Sequence, residues 1–154
     1  MKVQASSRLL KELIPHVLRL LLGGVFIYAA WPKIVNPEAF AQLIYHYKLV
    51  PDALINPMAL ILPWLELVCG VFLIVAPRFR QGAAILIIAM LIVFTFAVGI
   101  NVVLGREITC GCFSVAEDAE TIGWRKVFEN LALIGVGIYC ARIATRHPSL
   151  TEAT

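Results

Sequence analysis

Residues 83–104 read AAILIIAMLIVFTFAVGINVVL, 22 consecutive positions from Ala83 to Leu104 without a charged side chain. At a rise of 1.5 Å per residue, about 20 mostly apolar residues cross a hydrocarbon core of about 30 Å. This stretch is therefore read as a transmembrane helix. Three others carry the same signal in weaker form. Met58 to Ala76 holds one acid, Glu66, and Leu13 to Trp31 holds Arg19 near its start, where a long side chain can snorkel toward headgroups. Trp124 to Ala144 is the most polar, with Arg125, Lys126, Glu129 and Asn130 in its first turns, yet its run from Leu131 to Ala141 still demands burial.

Composition agrees. The chain has 154 residues, 60% hydrophobic and 15% charged, with a mean hydropathy of +0.86. Ordinary soluble domains are about 45–50% apolar and about 25% charged. Disorder, collagen and a disulfide-dense miniprotein are excluded by the same numbers. A formal charge of +3, dispersed and without a basic arm, argues against nucleic acid as a partner. The expectation is an all-α integral membrane protein: one four-transmembrane-helix bundle with spans 13–31, 58–76, 83–104 and 124–144, and outer loops 32–57 and 105–123.

The first span resembles a secretory leader because Lys2, Arg8 and Lys11 precede it, but Tyr28-Ala29-Ala30-Trp31-Pro32 puts bulky residues where a cleavage site wants small ones, so a retained helix is expected. Positive residues stay cytoplasmic. Lys2, Arg8, Lys11, Arg78, Arg80, Arg142 and Arg146 fall on one side, against Lys33, Lys48, Arg106, Arg125 and Lys126 on the other, where acids accompany them. Both termini are predicted to be cytoplasmic.

In the first outer loop, Asn36-Pro37-Glu38 combines an N-cap residue, a proline at the first helical position and an acid in the first turn. A short interfacial helix should follow. Its apolar stripe is Phe40, Leu43, Ile44 and Tyr47, with Gln42, His46 and Lys48 facing elsewhere, which suits either a connector at the membrane surface or a lid. Asn56-Pro57 repeats the cap-plus-proline start for the second span, and Pro63 should kink it.

The second outer loop contains Arg106-Glu107-Ile108-Thr109-Cys110-Gly111-Cys112-Phe113. Two thiols one residue apart, with glycine between, can close a small strained disulfide, and strained or exposed disulfides exchange readily. Arg106 favours a thiolate there and Glu107 opposes it. A fixed staple would remove little chain entropy from so small a ring. Two thiolates could also bind copper(I) or half of a zinc site, although no second Cys-x-x-Cys or paired histidines complete a tetrahedron. Redox exchange by Cys110 and Cys112 is the favoured chemistry.

Taken in order, these residues resemble the DoxX-like membrane proteins, and within them the methylamine-utilisation MauE group. The likeness rests on Arg19-Leu20-Leu21-Leu22-Gly23 with Phe26 and Lys33, on Asn36-Pro37 with Phe40, and on Leu62-Pro63-Trp64-Leu65-Glu66 followed by Gly70. Asn101-Val102-Val103-Leu104-Gly105-Arg106 then leads into Cys110-Gly111-Cys112-Phe113. This chain has Ser114 where that family usually continues with glycine. The resemblance implies a periplasmic-side thiol-disulfide role in the bacterial inner membrane, as an oxidoreductase component served by a thioredoxin-like partner and linked to disulfide maturation.

Ionisable groups at membrane depth cost about 2.5–3.5 kcal/mol at the centre of a helix and want partners. Arg19, Gly23, Phe26, Ala30 and Lys33 share one helical stripe, which should face the bundle. Lys33, Glu66, Glu129 and Asn101 are expected to form a polar cluster under the Cys-Gly-Cys loop, serving as helix-to-helix glue, as a proton relay or as a quinone headgroup site. Dinucleotide, haem and metalloprotease motifs are all missing from the sequence, so any cofactor would be lipid-soluble, such as a quinone, or belong to another subunit. His16 and His147 suit interfacial positions. Cys69 and Cys140 suit small packing residues, with inward electron transfer as the sharper option. The alternatives to thiol exchange are a non-catalytic assembly or copper/zinc-binding subunit and a proton-coupled transporter using Glu66.

Overall fold

A helix that is apolar on every face has nothing to hide from lipid, and the outward side chains here are the large hydrophobic ones: Phe96 is 70% exposed, Val93 67% and Trp64 56%. The computed structural model describes residues 2–106 and 123–146, with side chains described over 13–106 and 123–144. Its helices are α1 (Lys2–Val35), α2 (Pro37–Tyr47), α3 (Asp52–Val75), α4 (Arg80–Val103) and α5 (Trp124–Arg146). A single 3₁₀ turn, Pro77–Phe79, joins α3 to α4. Among the described residues, four segments are long and apolar enough to cross a membrane: Leu13–Val35, Asp52–Val75, Pro77–Val103 and Trp124–Ala144. The chain is an all-α, four-span membrane protein.

The spans form a ring in which α1 packs on α3 and α5, and α4 packs on α3 and α5. α1 and α3 run antiparallel. Lys33 meets Glu66 near one end of that contact, and Gly23 meets Gly70 and Ile74 farther along it. A Cβ added to either Gly23 or Gly70 would sit 2.8 Å from the other's carbonyl oxygen, so the two backbones touch. Small residues at such crossings let dispersion contacts accumulate where lipid removes the hydrophobic drive for helix association. Around this crossing Leu22, Phe26, Cys69, Leu73, Ala84 and Ile87 form the core. The predicted stripe Arg19, Gly23, Phe26, Ala30 and Lys33 is buried throughout.

α2 follows its predicted design. The Asn36 side chain accepts a hydrogen bond from the Ala39 amide at 3.2 Å, Pro37 opens the helix, and Phe40, Leu43 and Tyr47 are buried. Lys48 closes it with φ 50°, in the left-handed region. Two expectations are corrected. α3 begins at Asp52 rather than near Pro57, because Pro51 supplies the entry, Asp52 favours the positive helix start, and Pro57 forfeits only one early backbone bond. α1 likewise continues past Trp31 to Val35, with Pro32 inside it.

Candidate functional site

The last turn of α1 and the middle of α3 bring Lys33 and Glu66 together. Lys33 Nζ donates to both Glu66 carboxylate oxygens at 2.8 Å. The side chains are 7% and 12% exposed. Neither charge can be solvated at that depth, so each supplies what the other lost on leaving water. Phe40 of α2 lies over the ammonium, 5.1 Å from Nζ to the ring centroid, and adds a cation–π contact. Phe40 is itself seated by Leu43 and by Ala59 and Leu62 of α3. The amphipathic stripe of α2 was legible in sequence, but its service as a cover for Lys33 carried no local signal.

A second cluster closes the other end of α2. α4 ends on Gly105, whose φ of +66° only glycine adopts without strain. The Arg106 amide donates to the Asn101 carbonyl at 3.0 Å and the Gly105 amide to the Val102 carbonyl at 3.1 Å, the paired bonds of a Schellman cap. This turn folds Arg106 back over Asn101, and Arg106 Nη1 donates to Asn101 Oδ1 at 3.1 Å. The fully buried Asn101 donates through Nδ2 to the Ala97 carbonyl at 2.9 Å and to the Tyr47 carbonyl at 3.3 Å, and Arg106 reaches the same Tyr47 oxygen at 3.4 Å. Tyr47 is the last residue of α2, where carbonyls lack intrahelical donors and the dipole is negative, so a cation and an amide are fitting partners. Burial pushes the Tyr47 phenol well above the ordinary tyrosine range.

The expected four-residue cluster is thus divided. Lys33 and Glu66 pair, Asn101 joins Arg106, and Glu129 stays on its own helix, accepting from Arg125 Nε at 2.9 Å and from Lys126 Nζ at 3.0 Å. Local spacing wins there, since partners three and four residues away on one helix need no tertiary contact. That spacing was visible in sequence. Cys110 and Cys112 lie outside the described residues, but both ends of the segment that carries them, Arg106 and Gly123, attach at the end of the bundle that holds the Lys33–Glu66 pair. Cys69 and Cys140 are buried and free, 3% and 2% exposed. Among the described residues, no three His, Cys, Asp or Glu side chains gather as a metal site would require. An open apolar groove of about 610 Å³ lies between α4 and α5, lined by residues such as Phe96, Ile100 and Trp124, and it does not include Lys33 or Glu66.

Fold and site together define a small four-span membrane protein with a buried ion pair and a cysteine-bearing segment clamped at one end. Residues 11–143 match the family model described as methylamine utilisation protein MauE. The chain belongs to the MauE family. It is 38% identical over 125 residues to the methylamine utilization protein MauE of Methylophilus methylotrophus, covering 80% of this chain and 65% of that protein. It is 33% identical to the Paracoccus denitrificans protein of the same name over 147 residues, 95% of this chain and 76% of the relative. It therefore spans somewhat under two thirds of the first relative's length and about three quarters of the second's. No solved structure matches the chain.

Proposed function

We propose that this protein is a membrane accessory of methylamine utilisation that carries out thiol-disulfide exchange through Cys110 and Cys112. The exchange takes place on the outer face of the bacterial inner membrane, with both termini cytoplasmic and a periplasmic thioredoxin-like protein as partner. One thiolate attacks a sulfur of the partner's disulfide, releasing a partner thiolate and forming a mixed disulfide. The neighbouring cysteine then displaces the second partner sulfur. Two electrons pass from the Cys110/Cys112 dithiol to the partner's disulfide, leaving a Cys110–Cys112 disulfide and a partner dithiol, and the reverse sequence runs by the same steps.

The observation that supports this most is the Arg106 clamp. Arg106 is held by Asn101 and the Tyr47 carbonyl, four residues before Cys110, so the entry to the cysteine segment is tied to α2 and α4. The family's printed name supports the pathway. The Lys33–Glu66 pair, closed on itself and covered by Phe40, serves in this scheme as the fastening that holds α1 and α3 beneath that end.

The test is to trap the mixed disulfide. Cys110→Ser or Cys112→Ser in intact membranes should accumulate a reductant-sensitive adduct with one extracytoplasmic protein, and an impermeant thiol reagent should label the remaining cysteine from outside. Failure of both variants to trap an adduct, with copper or zinc lost from the double variant, would replace exchange by metal binding.

A further inference from the structure

The end of the bundle opposite the Lys33–Glu66 pair is charged in a different way. Arg19 of α1 is 8% exposed, yet its Nε has no hydrogen-bond partner. Arg80, at the start of α4, donates through Nη2 to the Ile74 carbonyl at 3.3 Å, and its buried Nε is also unpartnered. Ile74 brings the two arginines to the same place, because its side chain packs on Gly23, one turn from Arg19 on α1, while its carbonyl accepts from Arg80. α4 begins here with no side-chain cap and no acid in its first turn, which adds the positive end of a 24-residue helix. All the described acidic side chains, Glu38, Asp52, Glu66 and Glu129, lie on α2, in the α3 half beside Lys33 or at the start of α5, away from Arg19 and Arg80.

A buried Arg19 beside a partly buried Arg80, with no counter-ion among the described side chains, is costly, and an arginine guanidinium cannot relieve the cost by losing its proton. A bound anion can. From the geometry we infer that Arg19 and Arg80, with the start of α4, form a binding site for a phosphate oxyanion, supplied by the phosphodiester of an anionic phospholipid. A phosphate oxygen fits a guanidinium fork, and its several acceptor oxygens can serve two forks and backbone amides at once. Arg19 lies seven residues beyond Glu12, the last charged residue before the apolar run of α1, about 10 Å by helix rise, which places it near the headgroup layer, where lipid phosphate is abundant. Basic pockets between transmembrane helices are known to hold such headgroups.

Native mass spectrometry of the full chain in detergent, with added phosphatidylglycerol, phosphatidylcholine or inorganic phosphate, tests the site, with thermal unfolding as a second readout. Phosphatidylglycerol should bind and raise the melting temperature. In Arg19→Gln/Arg80→Gln its apparent affinity should fall at least about tenfold, the scale of one lost charge-assisted hydrogen bond. The lipid-free variant should melt no lower than the parent, because removing unpaired charges removes a cost, whereas purely structural arginines would leave it less stable. Arg19→Lys/Arg80→Lys should retain part of the lipid effect. Stabilisation by inorganic phosphate alone, lost in the Gln variant, would support the site with a free anion as its source. Equal binding of both lipids, or an unchanged lipid effect in the Gln variant, would overturn the proposal.

Discussion

The two ends of the bundle meet the same difficulty, charge at membrane depth, in opposite ways. At the cysteine-bearing end the buried charges have partners within the chain, Lys33 with Glu66 and Lys126 with Glu129, and Asn101 is held by Arg106 and the α2 terminus, while the neutral Asn130 of α5 keeps an unpartnered Nδ2. At the other end Arg19 and Arg80 keep unpartnered donors. A self-satisfied network rigidifies, since any movement exposes an uncompensated charge. An unsatisfied one is open to something from outside. The paired end is thus a platform, and the unpaired end is a receptor for an anion.

Breaking the pair should produce the largest effect. Glu66→Gln or Lys33→Met leaves the opposite charge buried alone and is expected to destabilise by about 3–5 kcal/mol, whereas the double apolar variant Lys33→Met/Glu66→Leu recovers most of the loss. A double-mutant cycle of unfolding in detergent measures it. Next is the helix crossing: Gly70→Ala drives a Cβ to 2.8 Å from the Gly23 carbonyl and should cost about 1–3 kcal/mol by the same assay. Asn101→Leu removes the amide that Arg106 and the Tyr47 carbonyl share. It should cost about 1–3 kcal/mol and speed amide hydrogen exchange at the end of α2 more than in α1. Gly105→Ala should cost about 1–2 kcal/mol, the penalty for a Cβ in the left-handed region.

The smallest effect is a pH dependence. Because burial raises the Tyr47 phenol above the ordinary value of 10.0, the folded state keeps its proton where the unfolded chain loses it. That contribution to stability is complete below about pH 10 and declines as pH rises beyond it. Tyr47→Phe should flatten the alkaline slope of stability measured by chemical unfolding.

Much of this was legible before any tertiary contact was known. Apolar length predicted all four spans, Asn36-Pro37-Glu38 predicted the start of α2, and the spacing of Arg19, Gly23, Phe26, Ala30 and Lys33 predicted a buried stripe. Those are properties of one helix at a time. Lys33 had two plausible acids in Glu66 and Glu129, and helix depth alone did not separate them. Glu129 has local cations three and four residues away, a signal present in the sequence, and the local partners prevail over a tertiary one. The start of α3 was misplaced because Asn56-Pro57 looks like a helix start, while Pro51-Asp52 provides one earlier.

The sequence by itself determined how many times the chain crosses the membrane and which face of α1 turns inward, because both follow from rise per residue and periodicity. Only the tertiary structure decided that Glu66 is the partner of Lys33, that a backbone carbonyl of Tyr47 is what Asn101 and Arg106 hold, and that Arg19 and Arg80 share one end of the bundle with unpartnered Nε donors. Those outcomes depend on which helices are neighbours and at what height. Carbonyl acceptors and unpaired donors leave no mark on side-chain pattern, so they become visible only when distant segments are placed together.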